Sequence, residues 1–327
     1  MRILTREDIA NALTMSAAIA AVGDAFAQLS SGQADVPIRA ALRPAGHDGV
    51  ALIMPGYLRG SDALAVKVAS VFPGNRELKL PTVHALVLLL DAATGAPLAV
   101  MEGSSLTALR TGAASGVATE RLARQDARVA AIFGAGVQAR TQLLAVCAVR
   151  PLREAWIHAP RPRQVEAFID ELQPQLRGIE LRAAQTPAQA VRAADIICTA
   201  TTSATPVFAG TDVNPGAHIN AVGSFTPQMQ EVDETTLQRA SRIVVDSREA
   251  ALAEAGDLLI AFDRGAIQMS DISGEIGELL RGRISGRESA DEITYFKSVG
   301  NAAQDVAVAQ AIYQHAVQTG LGTELSL

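Results

Sequence analysis

The residues best suited to chemistry begin at Gly134-Ala135-Gly136-Val137-Gln138-Ala139. They follow five apolar residues, 129–133, and open an alanine-rich amphipathic stretch, 137–149. A buried strand, a glycine turn and a helix in that order leave backbone N–H groups and the positive end of a helix dipole facing an anion. Residues without side chains let a pyrophosphate come close. Ala139 fills the third small-residue place of the G-x-G-x-x-G/A pattern. A plain tight turn also fits those six residues. The strand before and the helix after are what favour a dinucleotide.

Three cations form the second group. Lys67 lies in the middle of an apolar strand pattern, 64–71. A charge there needs a partner anion or a cleft opening, unless the side chain snorkels from a sheet edge. Arg110 lies among the small residues Thr111, Gly112, Ala113 and Ala114 and reads either as an anion ligand or as half of a salt bridge. Arg39, after Pro37 and Ile38, has the weakest standing of the three when taken alone.

The third group lies at the end of the second strand of the nucleotide-binding pattern, Trp156-Ile157-His158-Ala159-Pro160-Arg161-Pro162-Arg163. Preference for NADH calls for an acid there to accept from the ribose 2′-hydroxyl. The stretch has none, while Arg161 and Arg163 suit a 2′-phosphate. NADPH is therefore expected, with NADH as the lesser choice. His158 is expected near the adenine ribose, or is an ordinary strand-end histidine.

The elements that must position these groups follow from periodicity. Thr5 and Asp8 read as a capping box, with Leu4 and Ile9 at staple positions. A helix from about Ser16 to Leu29 follows, with Ile19, Val22, Phe26 and Leu29 as its core stripe. From Val36 to Leu98, short apolar runs (51–54, 64–71, 83–90 and 97–101) are punctuated by Pro55-Gly56, Pro73-Gly74 and Thr94-Gly95, which predicts an antiparallel sheet. A helix is expected from Ser104 or Thr107 to Leu122. Beyond Arg128, strands at 129–133, 154–158, 179–183, 195–199, 217–222 and 242–246 alternate with helices, the pattern of a doubly wound Rossmann-type α/β domain. The tail from Val299 to Gly320 reads as one amphipathic helix, with Val306, Ala309, Ile312, Tyr313 and Val317 on one face, packing back on the first domain. The expected division is 1–121 with 300–327 as an α+β substrate-binding and dimerisation domain, and 122–299 as the NAD(P)-binding domain.

The bulk composition excludes other classes. A chain of 327 residues that is 49% hydrophobic and 19% charged has the make-up of a globular protein. A net charge of −6 argues against a nucleic-acid partner. The start, 1–9, is too charged for a signal peptide, and no apolar run approaches the ~20 residues of a membrane span. No membrane partner and a cytoplasmic location are expected. Cys147 and Cys198 fall in apolar patterns and read as buried thiols. His47, His84, His218 and His315 have no ligand spacing, so no metal site is expected.

Taken together, the residues resemble the ornithine cyclodeaminase/mu-crystallin family. The resemblance is carried by Met54-Pro55, Lys67 within 66–70, Thr107 to Ser115, Gly134 to Gln138, Gly216 to Gly223, Val245-Asp246-Ser247 and Phe296 to Gly300. It implies that Arg39, Lys67 and Arg110 hold a substrate carboxylate, for which an Arg fork beside a Lys point charge is suited, with Met54 also at the substrate. It implies cofactor contacts from Arg110, Thr111, Gly134, Ala135, Gly136, Val137, Gln138, His158, Arg161, Thr199, Ala200, Thr201, Val222, Gly223, Ser224, Ser298, Val299 and Gly300. Family members dimerise through the first domain, so a homodimer is expected.

The resemblance leaves the reaction open, and one position discriminates. Members that deaminate ornithine carry an Asp just after a Val-Gly that ends a late strand. Here Val222-Gly223-Ser224-Phe225-Thr226 puts Phe225 at that place, and the next carboxylate, Glu231, is expected to lie beyond the site. Reduction of a cyclic imine asks for less: a held carboxylate, excluded water and a proton at nitrogen. Lys67, Ser224 and Thr226 are the expected catalytic residues, with Ser224, Thr226 or a water relaying the proton and Phe225 walling the ring. The expected activity is NADPH-dependent reduction of delta-1-pyrroline-2-carboxylate to L-proline, and of the six-membered imine to L-pipecolate. Its rivals are cyclodeamination, amino-acid dehydrogenation, and coenzyme binding without turnover as in lens crystallins.

Overall fold

Thr5 and Asp8 cap each other's backbone at the start of the helix Arg6–Ala12, and Leu4 and Ile9 are buried beside it. The computed structural model describes residues 1–326. Contacts divide the chain into two units, 1–110 with 301 onward, and 111–300. The junction expected at 121/122 lies at the end of one continuous helix, Gly103–Leu122, whose small residues pack along its whole length.

The first unit is built on a mixed sheet. Its strands run in the order 323–324, 2–4, 97–102, 83–91, 63–71, 50–58 and 34–35, with 40–42 also pairing with 50–58. The four long central strands are antiparallel, as expected, while the short strand Arg2–Leu4 joins Pro97–Glu102 in parallel. Pro55-Gly56 does not break a strand as expected but lies inside Val50–Leu58. On its outer edge that strand pairs at 51–53 and again at 57–58, leaving 54–56 without a neighbour there. A strand proline is tolerated at such an edge. Gly56 is needed because a Cβ there would lie 2.9 Å from Val306 of the covering helix.

That helix, Ala302–Thr319, is capped by Asn301 and stopped by Gly320 in the left-handed region, φ 73°. It packs on the helix Met15–Leu29 and on the sheet. Val306, Ala309 and Ile312 are buried as expected, but Val317 is exposed. Ala316, at the helical period from Ala309 and Ile312, continues the stripe instead.

The second unit is an eight-stranded parallel sheet in the order 180–183, 154–158, 129–133, 196–199, 218–221, 293–297, 240–245 and 272–275. The first five places are those of a doubly wound nucleotide-binding sheet. The strand Ile293–Lys297 was not expected. It inserts between His218–Ala221 and Ala240–Val245 and is buried throughout. Burial pushes the Cys147 and Cys198 thiols up to about 12, which makes them inert. Among the described residues, no single helix is long and apolar enough to cross a membrane.

Candidate active site

In the second unit the strand Val129–Phe133 delivers the glycine turn. Gly134 has φ +108°, and a Cβ there would lie 2.6 Å from the Ala200 carbonyl oxygen, so only glycine fits. Its amide donates to the His158 carbonyl at 2.9 Å. Gly136 is the cap residue of the helix Val137–Val149. No side chain caps that helix, a Cβ on Gly136 would meet open space, and Val137 is exposed. An uncapped helix start in the open, behind a glycine turn, fits a pyrophosphate.

The end of the strand Glu154–His158 is free of acids. Arg161 and Arg163 are both exposed, with Arg161 at the start of the helix Pro162–Leu172. His158 Nδ1 donates to the Ala184 carbonyl at 3.2 Å, and its ring meets Phe133 edge-on.

Glu231, expected beyond the place where an acid would activate an amine, is held among residues that the resemblance assigns to the cofactor. Its carboxylate accepts from Thr201 N at 2.6 Å, Gly223 N at 2.7 Å, Thr199 Oγ1 at 2.9 Å and Ser224 N at 3.1 Å. It thereby ties together the loops that leave the strands Ile196–Thr199 and His218–Ala221. Asp257 in turn accepts from the Glu231 and Val232 amides at 2.6 and 3.1 Å, and pairs with the Lys297 ammonium at 2.7 Å. All three side chains are fully buried. Burial raises the Glu231 carboxyl and nearby Asp257 pushes the same way, against Lys297 and the Thr201 donor.

The same network corrects one expectation. Ser224 does not offer a free hydroxyl: its Oγ donates to the Met229 carbonyl at 2.8 Å and accepts from Asp257 N at 3.3 Å. It is buried and holds a loop. Thr226 is half-buried with no partner for its hydroxyl among the described residues, and Phe225 is 44% exposed. Asp246 does for a second loop what Glu231 does for the first, accepting from Ser298 Oγ at 2.8 Å, Val299 N at 3.1 Å and Gly300 N at 2.8 Å. Thr111 is buried, and its carbonyl accepts from Gln142 Nε2 at 3.3 Å.

In the first unit Lys67 sits in a cross-strand row with Met54, Val87 and Met101, all buried on the face that the helix Ala302–Thr319 covers. The ammonium is 2.6 Å from Asp305 Oδ2, an ion pair without the alignment of a hydrogen bond. Arg110 Nε donates to Asp305 Oδ1 at 3.0 Å, and its Nη1 donates to Gln304 Oε1 at 2.7 Å. Burial pulls Lys67 down to about 8. Asp305 pushes it up, while Arg110 and Arg39 push it down. The structure therefore brings Lys67, Arg110 and Met54 together, with the Arg39 charge close enough to act on Lys67, and it adds Asp305 and Gln304.

A signal for Asp305 was present. It lies on the buried stripe with Ala309, Ile312 and Ala316, where an acid has to have a partner. Lys297 closes the buried strand Ile293–Lys297, which the periodicity does not reveal. Glu231 and Asp257 gave no signal, because their partners come from loops far apart in the chain. Among the described residues, no cluster of three or more His, Cys, Asp or Glu side chains is placed to hold a metal.

A family model described as ornithine cyclodeaminase/mu-crystallin family matches residues 1–320. The chain belongs to that family. It is 40% identical over 325 residues to a Delta(1)-pyrroline-2-carboxylate reductase of Bacillus cereus, covering 99% of each chain. Among solved structures, it matches the Thermococcus litoralis Delta(1)-pyrroline-2-carboxylate reductase in complex with NADH and L-proline at TM-score 0.95 and 44% identity, covering 99% of this chain and 100% of that one. An archaeal alanine dehydrogenase dimer with bound NAD matches at TM-score 0.92 and 37% identity, over 100% and 99% of the two chains.

Proposed function

We propose that this chain reduces the C=N bond of delta-1-pyrroline-2-carboxylate, giving L-proline, with a nicotinamide dinucleotide as co-substrate. The observation that carries the reading is the segment 222–231. The place where an acid would activate an amine holds Phe225, and the next carboxylate, Glu231, spends both oxygens on four donors of its own unit. A segment that offers no free carboxylate suits a substrate that is already an imine.

The roles follow from the side chains. Lys67, Arg110 and Arg39 hold the substrate carboxylate, with Met54 beside them. Gly134, Ala135, Gly136, Val137 and Gln138 take the pyrophosphate. The loops carrying Thr199 to Thr201, Val222 to Ser224 and Ser298 to Gly300 take the nicotinamide half. The bound cofactor supplies a hydride to the imine carbon. Thr226, whose hydroxyl is uncommitted, passes a proton from water to the ring nitrogen, so that one hydride and one proton convert C=N to CH–NH.

Arg161, and the lack of an acid after His158, favour NADPH over NADH. The six-membered imine, reduced to L-pipecolate, belongs to the same proposal. So does a cytoplasmic site of action, consistent with two unpaired cysteines. A homodimer through the first unit is also part of it. Ile53, Val68 and Leu86 align across three strands on the sheet face opposite Lys67, and Val68 and Leu86 are exposed there.

The test is a panel of both cyclic imines with both reduced coenzymes, followed by coenzyme absorbance, alongside an ammonia assay with ornithine and alanine. Faster oxidation of NADPH than of NADH with pyrroline-2-carboxylate is expected. Ammonia release from ornithine without imine turnover would overturn the reading.

A further inference from the structure

The two cations that the proposed reaction needs at the substrate carboxylate already share a carboxylate of the chain. Asp305 lies 2.6 Å from the Lys67 ammonium through one oxygen and 3.0 Å from Arg110 Nε through the other. All three side chains are buried. Lys67 stands in a row of Met54, Val87 and Met101, where an ammonium is costly unless an opposite charge is close. The strands beside it offer no such charge in that row. The other ionic groups that act on it are Arg110 from the helix Gly103–Leu122 and Arg39 from the segment before 40–42, and both are positive. Asp305 comes from the first turns of the covering helix, where the helix dipole also favours an anion.

We propose that Asp305 is a positioning residue for imine reduction: it keeps Lys67 charged and sets Lys67 and Arg110 side by side to receive the substrate's carboxylate. The inference rests on the imine-reductase reading above. Without Asp305, Lys67 faces two positive neighbours in an apolar wall and gives up its proton. The substrate then meets a neutral amine and loses one of its anchors. With Asp305 in place Lys67 and Arg110, two cations, share one carboxylate, so the pair keeps a net positive charge and a monocarboxylate is still attracted.

The inference has a pH signature. The dependence of kcat/KM on pH reports groups of the free enzyme. Lys67, lowered to about 8, supplies a basic limb above which activity falls. An opposite charge at this distance shifts such a group by about 1–3 units. Asp305→Asn keeps the shape and removes the charge, so the limb should move to lower pH by about one unit or more. Above the new limb, kcat/KM for the imine should fall roughly tenfold per unit of displacement. Asp305→Glu should return the limb toward the wild-type position. The dissociation constant of the coenzyme, measured by fluorescence without substrate, should stay within about twofold in both variants, since the proposed effect is confined to the substrate anchor.

The deciding experiment is kcat/KM for pyrroline-2-carboxylate against pH for wild type, D305N and D305E, with thermal melts as the check on folding. A folded D305N whose limb and imine KM match those of active wild type overturns the inference and leaves the function standing. Wild type inactive on the imine removes both. Should D305N fail to fold, the double variant Lys67→Met/Asp305→Asn decides. Its recovery of folding supports the role, because the carboxylate is then needed only while Lys67 is charged. Its failure to fold overturns the role, because Asp305 is then needed for the fold itself.

Discussion

Gly223 donates its amide to Glu231 at 2.7 Å, and the same carboxylate stands where a Gly223 side chain would have to go. A Cβ at 223 would also run into the Thr201 backbone. The glycine is therefore fixed by a carboxylate eight residues later and by the neighbouring loop, not by its own backbone angle. Gly223→Ala should push these loops apart. Overpacking of this kind costs about 1–3 kcal/mol. The expected outcome is a lower melting temperature together with a weaker coenzyme-induced rise in it, both read in one thermal-shift series. An unchanged response to coenzyme would show that these loops do not touch it.

Glu231→Gln tests the same junction without changing its size. One carboxylate oxygen accepts from Thr201 N, and the other accepts from Thr199 Oγ1, Gly223 N and Ser224 N. Whichever oxygen becomes the amide nitrogen, its N–H groups face another donor. A buried donor left without an acceptor costs about 1–3 kcal/mol, so the KM for coenzyme should rise about tenfold or more. The KM for the imine at saturating coenzyme should move little, because Lys67 and Arg110 are untouched. A folded variant with normal coenzyme KM would make Glu231 purely a folding residue.

Much of this was legible in the sequence, and the reasons for the rest are physical. Glycine turns and hydrophobic periods are local, so Gly134 and the strands from 129 to 245 could be placed from neighbours along the chain. Lys67 and Arg110 could be singled out because a charge in an apolar or small-residue setting is locally anomalous. What balances those charges is not local. Asp305 is far from Lys67 in sequence, and Lys297 reaches Asp257 only because the strand Ile293–Lys297 inserts out of order between two earlier strands. Ser224 shows the opposite error. The sequence offers it as a proton relay, and only the fold shows its hydroxyl donating to the Met229 carbonyl. Pro55-Gly56 has the composition of a turn, but the strand edge beside Pro55 has no partner there to need its missing N–H.

His218 makes stability depend on pH in a way that can be separated from catalysis. The ring is buried between Thr294 Oγ1 at 2.9 Å and Asn220 Oδ1 at 3.1 Å. Burial first, and then the Arg287 guanidinium, push it down to about 3. In the unfolded chain it takes a proton near its ordinary value of about 6.5. Between those values the unfolded state binds the extra proton, so stability is fully present above about pH 6.5 and drains away as the pH falls toward 3. His218→Gln removes that linkage while keeping hydrogen-bonding groups in the strand. Melting temperatures at pH 7 and at about pH 4.5 should differ more for wild type than for the variant. Equal differences would mean that His218 is not the group responsible.

The outer face of the first unit's sheet gives the last test. Ile53, Val68 and Leu86 stand directly opposite one another across three strands. Leu86 is 56% exposed and Val68 is 45% exposed. The other face of the same strands is already filled by the helix Ala302–Thr319 and carries Lys67. An apolar row of this kind on a lone subunit would invite association, and a second copy of the chain, laid face to face, would cover it. Leu86→Asp puts a charge into the row without touching the Lys67 face. Sedimentation should show wild type as a dimer and the variant as mostly monomer at micromolar concentration. A monomeric wild type, or a variant that stays dimeric, would move the contact to another surface.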